Sequence, residues 1–429
     1  MILRAKVVLP VTAPPIEDGA VFVAGNKIRA VGPWKDLRPH LREKVCDLGE
    51  VILLPGLVNA HCHLDYTDMA GQLSPPKTFT DWIGLITAAK SAWSYSDYAC
   101  SWLHGAHQLL KTGTTTVGDI EAMPDLLPEV WDATPLRVFS FLEMTGIKSR
   151  RAPQEILRAA VETIDSLQHP RNRAWLSPHA PYSTLPELLQ RTARTAQKRK
   201  WRVSIHAAES VQEFEMFNDA RGAMHDWLKR NERDNSDCGH GSPVAHLARQ
   251  KLLGENVLAI HVNFLAHGDA TLLAKNKTHV VHCPRSHDYF KHPPFERARL
   301  AKAGVNLCLG TDSLATVRKI GKQKPELDLF AEMRALADKD KTVSPVEILQ
   351  MATINSARAL GLAGKAGELS PGALADAIAI PFRGRLAHVH EAVLQHSGNV
   401  AASMIAGRWA IPPKKIHDIR LTRGNAFCS

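Results

Sequence analysis

The chain has 429 residues, 45% of them hydrophobic and 22% charged. That balance excludes a disordered chain, a collagen-like repeat and a disulfide-stapled miniprotein. Lys and Arg number 53 against 43 Asp and Glu, a formal charge of +10, which suits either an anionic substrate or a basic surface with no specific partner. A core of this size needs no metal for its own stability, so metal ligands point to chemistry.

Residues 2–8, 20–24 and 27–31 read as short strands between Pro, Gly and Asn turns. The opening MILRAKVVLP lacks a long apolar stretch with a cleavage site, and VILLPGLV (51–58) is too short to cross a bilayer. Seven Cys, an odd number with no C-x-x-C pair, fit reduced thiols in a cytosol. No membrane association is expected.

From there the rhythm changes to short apolar runs alternating with amphipathic stretches, as repeated βα units require. Eight strands are expected: 52–61, 114–119, 136–143, 174–179, 202–206, 257–261, 279–283 and 305–312. Helices are expected over 98–112, 154–168, 185–200 and 325–338. This pattern predicts an α/β fold, a (β/α)8 TIM-type barrel over residues 56–365. Segment 210–256 reads as a lid or as helices. Near the end, 367–380 reads as a turn and strand, and 399–411 as a hairpin with Gly407 at its tip. The two ends share this texture, so 1–55 and 366–429 are expected to form one composite β-sandwich domain.

Histidine is the unusual count, 21 in all. The expected strands end on polar or ionisable residues: His61 and His63, Asp119, Glu143, His179, His206, His261, His282 and Asp312. In a barrel of this type those ends converge on one face, which holds the active site. Side chains at i and i+2 of an extended chain point the same way, so His61 and His63 face one direction and Cys62 the other. His206 ends the fifth strand, Glu209 follows in the turn, and Asp312 ends the eighth, next to the first in a closed barrel. Three imidazoles and one carboxylate suit one divalent ion, zinc first, with iron or manganese as alternatives. Alone, Asp312 reads equally as a helix cap and Glu209 as a solvated first-turn residue. Their joint position at strand ends favours the ion. No Lys ends the fourth strand, so a bridged two-metal centre is not expected.

His261 would orient water or polarise a substrate, and His179 would touch it. His282 has a structural alternative. Arg285 would pair with a substrate carboxylate, or else face solvent or a helix. Lys148, Arg150 and Arg151 would lie near the mouth. Aromatic residues are only 6%, and no Lys/Arg stripe interleaves with them, so no nucleic-acid partner is expected.

Several segments resemble the amidohydrolase superfamily, in its chlorohydrolase/deaminase branch: LPGLVNAHCHLD (54–65), KTGTTTVGD (111–119), SPHAPYS (177–183), IHAAES (205–210), HCPRS (282–286) and AGVNLCLGTDS (303–313). The branch includes deaminases of S-adenosylhomocysteine, 5′-methylthioadenosine and aminofutalosine. The resemblance implies a hydrolytic deaminase of an aminopurine or adenosine-like small molecule, with aminodeoxyfutalosine-like compounds among the options. The alternative is hydrolysis of another C–N or C–Cl bond. It implies metal binding by His61, His63, His206 and Asp312, proton transfer by Glu209, water and substrate positioning by His261, and substrate contacts from His179, Glu143, His282 and Arg285. Homodimers are common among such relatives. Two features depart from the pattern: His287 stands where many relatives have Asn, and HCHLDYTDM lacks their early hydrophobic residue.

Overall fold

The computed structural model describes residues 1–38, 43–74, 76–147, 151–319 and 324–414, with the backbone of 417–418. Two sheets organise it. The first takes strands from both ends of the chain: β1 (Ile2–Val8), β2 (Ile16–Ala24), β3 (Lys27–Pro33), β4 (Val45–Asp47) and β5 (Val51–Pro55), then the late β14 (Ala377–Pro381), β15 (Ala402–Ile405), β16 (Arg408–Ile411) and β17 (His417–Asp418). Their order is β16-β15-β14-β5-β1-β2-β3, with β4 beside β1 and β17 beside β4. The expected hairpin is β15–β16, with Gly407 at φ +78° in its turn.

The second sheet is the barrel. It contains β6 (Leu57–Cys62), β7 (Thr114–Glu121), β8 (Arg137–Met144), β9 (Arg173–Pro178), β10 (Val203–Ala207), β11 (Val257–His261), β12 (His279–His282) and β13 (Leu307–Leu309), all parallel and in sequence order. The seam closes where the Thr311 and Asp312 N–H groups donate to the His61 carbonyl at 3.0 and 3.2 Å. Most of these strands are buried along their whole length. Burial on both faces explains why they read as near-continuous apolar runs. Val58, Ile120, Phe141, Leu258, Ile260 and Val281 join in one buried cluster with Ala357 and Leu360.

Three expectations need correction. The run 52–61 is not one strand. It divides at Gly56 into β5, in the terminal sheet, and β6, in the barrel. A Cβ at Gly56 would lie 2.1 Å from Thr115 Oγ1, so only glycine fits where the chain changes sheets. The eighth strand shrinks to Leu307–Leu309; beyond it the chain meets β6 through a single isolated bridge, Cys62–Asp312, where Asp312 takes a left-handed φ of +54°. Asp119 does not end its strand, which continues to Glu121. It instead accepts the Leu64 N–H and the Trp102 indole N–H, both at 3.0 Å.

Segment 210–256 folds as three short helices, Val211–Asp219, Ala223–Arg230 and Pro243–Arg249. The buried Arg233 holds the loop after the second with a forked pair to Asp237 (2.7 and 2.9 Å) and a bond to the Tyr182 carbonyl. Among the described residues no helix is long and apolar enough to cross a membrane.

One buried ion pair fastens the two sheets. Arg137 of β8 bonds Asp376, which precedes β14, and also Thr116 Oγ1 at 3.0 Å. Removing one partner of a buried pair strands the other charge. Asp376→Asn is therefore expected to lower stability by about 3–5 kcal/mol. Urea unfolding measures this, and a loss below about 1 kcal/mol would mean the pair is dispensable.

Candidate active site

The strand ends of the barrel bring together residues far apart in sequence. His61 and His63 leave β6, His206 leaves β10, His261 ends β11, and Asp312 follows β13. Ring centroids of His61 lie 5.0 Å from those of His63 and His206 and 5.8 Å from that of His261. Asp312 Oδ1 is 3.5 Å from His61 Nε2 and 3.6 Å from His63 Nε2. Donor atoms of His61, His63 and His206 lie within 4.8 Å of one another, as do those of His61, His261 and Asp312.

The environment keeps these groups ready for a cation. Burial, helped by the neighbouring imidazoles, pushes His63 and His261 well below the usual histidine range, and His206 down to about 3. The rings are therefore neutral, the form that ligates metal. Burial works against the Asp312 carboxylate, but His61, His261 and His63 hold it well below its ordinary range. His206 Nδ1 bonds the His179 carbonyl at 2.9 Å, which leaves Nε2 for the cluster. Both ring nitrogens of His61 are buried with no partner. A buried orphan nitrogen is costly, and a divalent metal at this donor set would partner one of the two. The residues therefore fit a divalent metal.

His261 and Asp312 both have positive φ, +71° and +54°. Non-glycine residues rarely adopt that conformation, and such strain collects at functional sites.

A cavity of about 330 Å³ opens on the cluster. It is lined by His63, His179, His206, Glu209, His261 and Asp312. Glu209 Oε1 lies 3.5 Å from His261 Nε2. Burial, then the negative neighbours Asp312 and Glu213, push the Glu209 carboxyl well above its usual range. Glu143 and His179 also reach the cavity. Their side chains are 3.9 Å apart, and His179 Nδ1 is 2.6 Å from Ser183 Oγ.

Two residues expected at the substrate are elsewhere. Arg285 bonds Glu332 through Nε and the Glu326 carbonyl through Nη2, and does not line the cavity. The reason is that the Leu329–Lys339 helix presents a fully buried carboxylate, Glu332, beside it. His282 is buried against Phe295, with ring centroids 3.9 Å apart, and does not reach the cavity. Lys148 and Arg150 lie outside the described residues, and Arg151 is exposed away from the cavity lining. Arg285→Ala is expected to cost about 3 kcal/mol by leaving Glu332 buried beside no cation, with KM unchanged. Denaturation and steady-state kinetics on one preparation check this. A raised KM at full stability would return Arg285 to the substrate.

The cavity's cation is Lys90, 3.8 Å from Glu143 and 4.8 Å from the centre of the Tyr66 ring. It belongs to the Phe79–Ser91 helix, which the sequence reading did not include. The available signal was a capping box, Thr78 with Asp81. Also unanticipated was Glu213, fully buried, which accepts the Glu209 N–H at 2.8 Å. Burial raises it to about 8. Asp65 and Glu121 lie fully buried as well, pushed up by burial and by negative neighbours. His287 takes a supporting place: it bonds Asn263 Oδ1 at 3.0 Å, and Asn263 in turn holds the Glu209 carbonyl at 3.0 Å.

Comparison with known proteins extends this geometry. The model of the amidohydrolase family matches residues 52–410. A Syntrophobacter fumaroxidans protein named 5-methylthioadenosine/S-adenosylhomocysteine deaminase is 32% identical over 379 residues, 86% of this chain and 81% of that one. A 5′-deoxyadenosine deaminase of Methanothermobacter thermautotrophicus is 29% identical over 391 residues, 87% and 84% of the two chains. The zinc-bound crystal structure of an adenosine deaminase from Xanthomonas campestris superposes with a TM-score of 0.83 at 24% identity, covering 98% of this chain and 94% of that one. The strand-end donor cluster, the parallel barrel and the match to most of the chain agree: this protein belongs to the amidohydrolase family.

Proposed function

We propose that the protein is a metal-dependent hydrolytic deaminase that replaces an exocyclic amine of an adenosine-like compound with oxygen from water, releasing ammonia. The observation that carries this reading is the clustering of the His61, His63, His206, His261 and Asp312 donor atoms at the floor of one cavity, which His63, His206, His261, Asp312 and a buried Glu209 line. The names of the relatives supply the substrate class.

In this reading His61, His63, His206 and Asp312 would hold one divalent ion, zinc first. When bound, a divalent cation makes water a nucleophile near neutral pH. Asp312, held as a carboxylate, accepts the proton of the attacking water. His261 orients water and substrate. Glu209, kept protonated by burial, gives its proton to a ring nitrogen and so makes the adjacent carbon more electrophilic. The carbon–oxygen bond forms, the carbon–nitrogen bond breaks, the amine leaves as ammonia with the proton held by Asp312, and the hydroxyl proton of the adduct returns to Glu209 as the carbonyl forms. Glu143, His179 and Lys90 provide polar contacts around the rest of the substrate. Residues 56–365 make the catalytic unit, and 1–55 with 366–429 the accessory one.

Ammonia release over a panel of adenosine derivatives, with metal content measured on the same protein, tests the proposal. Turnover of at least one derivative, lost on chelation, is expected. Metal-replete protein inert to the whole panel would sink it.

A further inference from the structure

Two neighbouring turns at the strand ends carry Glu209 and His261. Glu209 lies on the turn that follows β10, and His261 closes β11 and begins the turn after it. Both turns are bent into a conformation that non-glycine residues rarely adopt: φ is +49° at Ala208, +71° at His261 and +49° at Val262. Backbone bonds zip one turn to the other. The Val262 N–H donates to the Ala207 carbonyl at 3.0 Å, and the Asn263 and Phe264 N–H groups donate to the Ala208 carbonyl at 2.9 and 3.1 Å. These bonds reach Ala208 and stop one residue short of Glu209.

A side chain continues the zip. Asn263, 6% exposed, donates its Nδ2–H to the Glu209 carbonyl at 3.0 Å. That bond fixes the amide, with its nitrogen towards Glu209 and Oδ1 turned onto His287 Nδ1 at 3.0 Å. Oδ1 can only accept, so Nδ1 must supply the proton. The other ring nitrogen of His287 lies 2.9 Å from the Pro293 carbonyl. A neutral imidazole has one N–H and cannot serve both. Pro293 is exposed, and water can take its carbonyl, whereas Asn263 is buried. On the far side of the same turn, Glu213 accepts the Glu209 N–H at 2.8 Å. Neither Asn263 nor His287 lines the cavity at the metal-ligand cluster.

We propose that Asn263 and His287 are positioning residues: His287 orients the Asn263 amide, Asn263 holds the Glu209 carbonyl, and this relay sets where the Glu209 carboxyl stands against His261 and the reacting ring. Its bearing on turnover rests on the deaminase reading, in which Glu209 moves the proton.

Substitutions at 287 separate the two ring nitrogens. The amide nitrogen of Asn hangs where Nδ1 of His does, and that of Gln where Nε2 does. His287→Gln is therefore expected to lower kcat at least about tenfold on whichever adenosine derivative the wild type turns over, through misplacement of Glu209, with KM and Tm unchanged. His287→Asn restores the bond to Asn263 and is expected to return to within about threefold of the wild type, since it loses only an exposed hydrogen bond. Asn263→Leu, close in shape and without a donor, should match His287→Gln. Equal kcat in His287→Asn and His287→Gln, or a loss carried by KM, overturns the proposal. Crystal structures of the metal-loaded full-length protein read the relay without turnover. Glu209 Oε1 is 3.5 Å from His261 Nε2. That separation should grow by at least about 1 Å in Asn263→Leu and His287→Gln and hold in His287→Asn. An unmoved carboxyl in both of the first two overturns the relay even in an active enzyme. A moved one in a protein that deaminates nothing upholds the relay and sinks only the deaminase reading.

Discussion

Glu209→Gln is expected to keep its metal and to lose turnover by roughly 10²–10⁴-fold, the range for removing a positioned general acid–base. Gln fills the same volume and can still bond His261, whose Nε2 lies 3.5 Å from the Glu209 carboxylate. What it cannot do is release a proton. Glu209 lies outside the two donor sets built around His61, so metal content should stay near that of the wild type. The pH profile carries a second signature. A carboxyl raised above its ordinary range is protonated at lower pH and loses its proton as pH rises, so it sets a limb of falling activity on the alkaline side. That limb should vanish from the residual activity of the variant. Near-normal turnover, or loss of metal, would overturn the role given to Glu209.

Asp312→Asn is expected to weaken both metal binding and rate. The imidazoles around it are held neutral, so this carboxylate is the one negative ligand of the proposed set. The substitution separates charge from shape. Residue 312 sits at φ +54°, a conformation that Asn tolerates as well as Asp, so the chain need not move. Its N–H donates to the His61 carbonyl whatever the side chain. Loss of a residue that merely supports a ligand typically costs 10–100-fold in affinity, and loss of the ligand's charge should exceed about 100-fold. Metal titration against a competing chelator reads this directly. An affinity within about threefold of the wild type would remove Asp312 from the ligand set.

Much of the site was legible because its residues sit at a repeated place in the chain. His61, His206 and His261 each come at or near the end of an apolar run, and a barrel gathers such ends on one face. Asp312 was legible for the same reason, although its strand proved short. What escaped depended on partners distant in sequence. Nothing near Arg285 announces that Glu332, 47 positions later, claims its guanidinium. Lys90 enters the cavity because a capped helix crosses above the first strand end, and helix placement is not encoded in any local pattern. The division of 52–61 was hidden because both halves are equally apolar. Only the crowding of Gly56 by Thr115 marks the point where one sheet hands the chain to the other.

That handover ties the far ends of the polypeptide to the chemistry. β5 is gripped between β1 and β14, and six residues past its end the backbone delivers His61. Trimming either terminus would slacken the anchor from which the first two imidazoles are aimed, so a barrel cut free of its flanking sheet should hold a cation poorly even where it still folds.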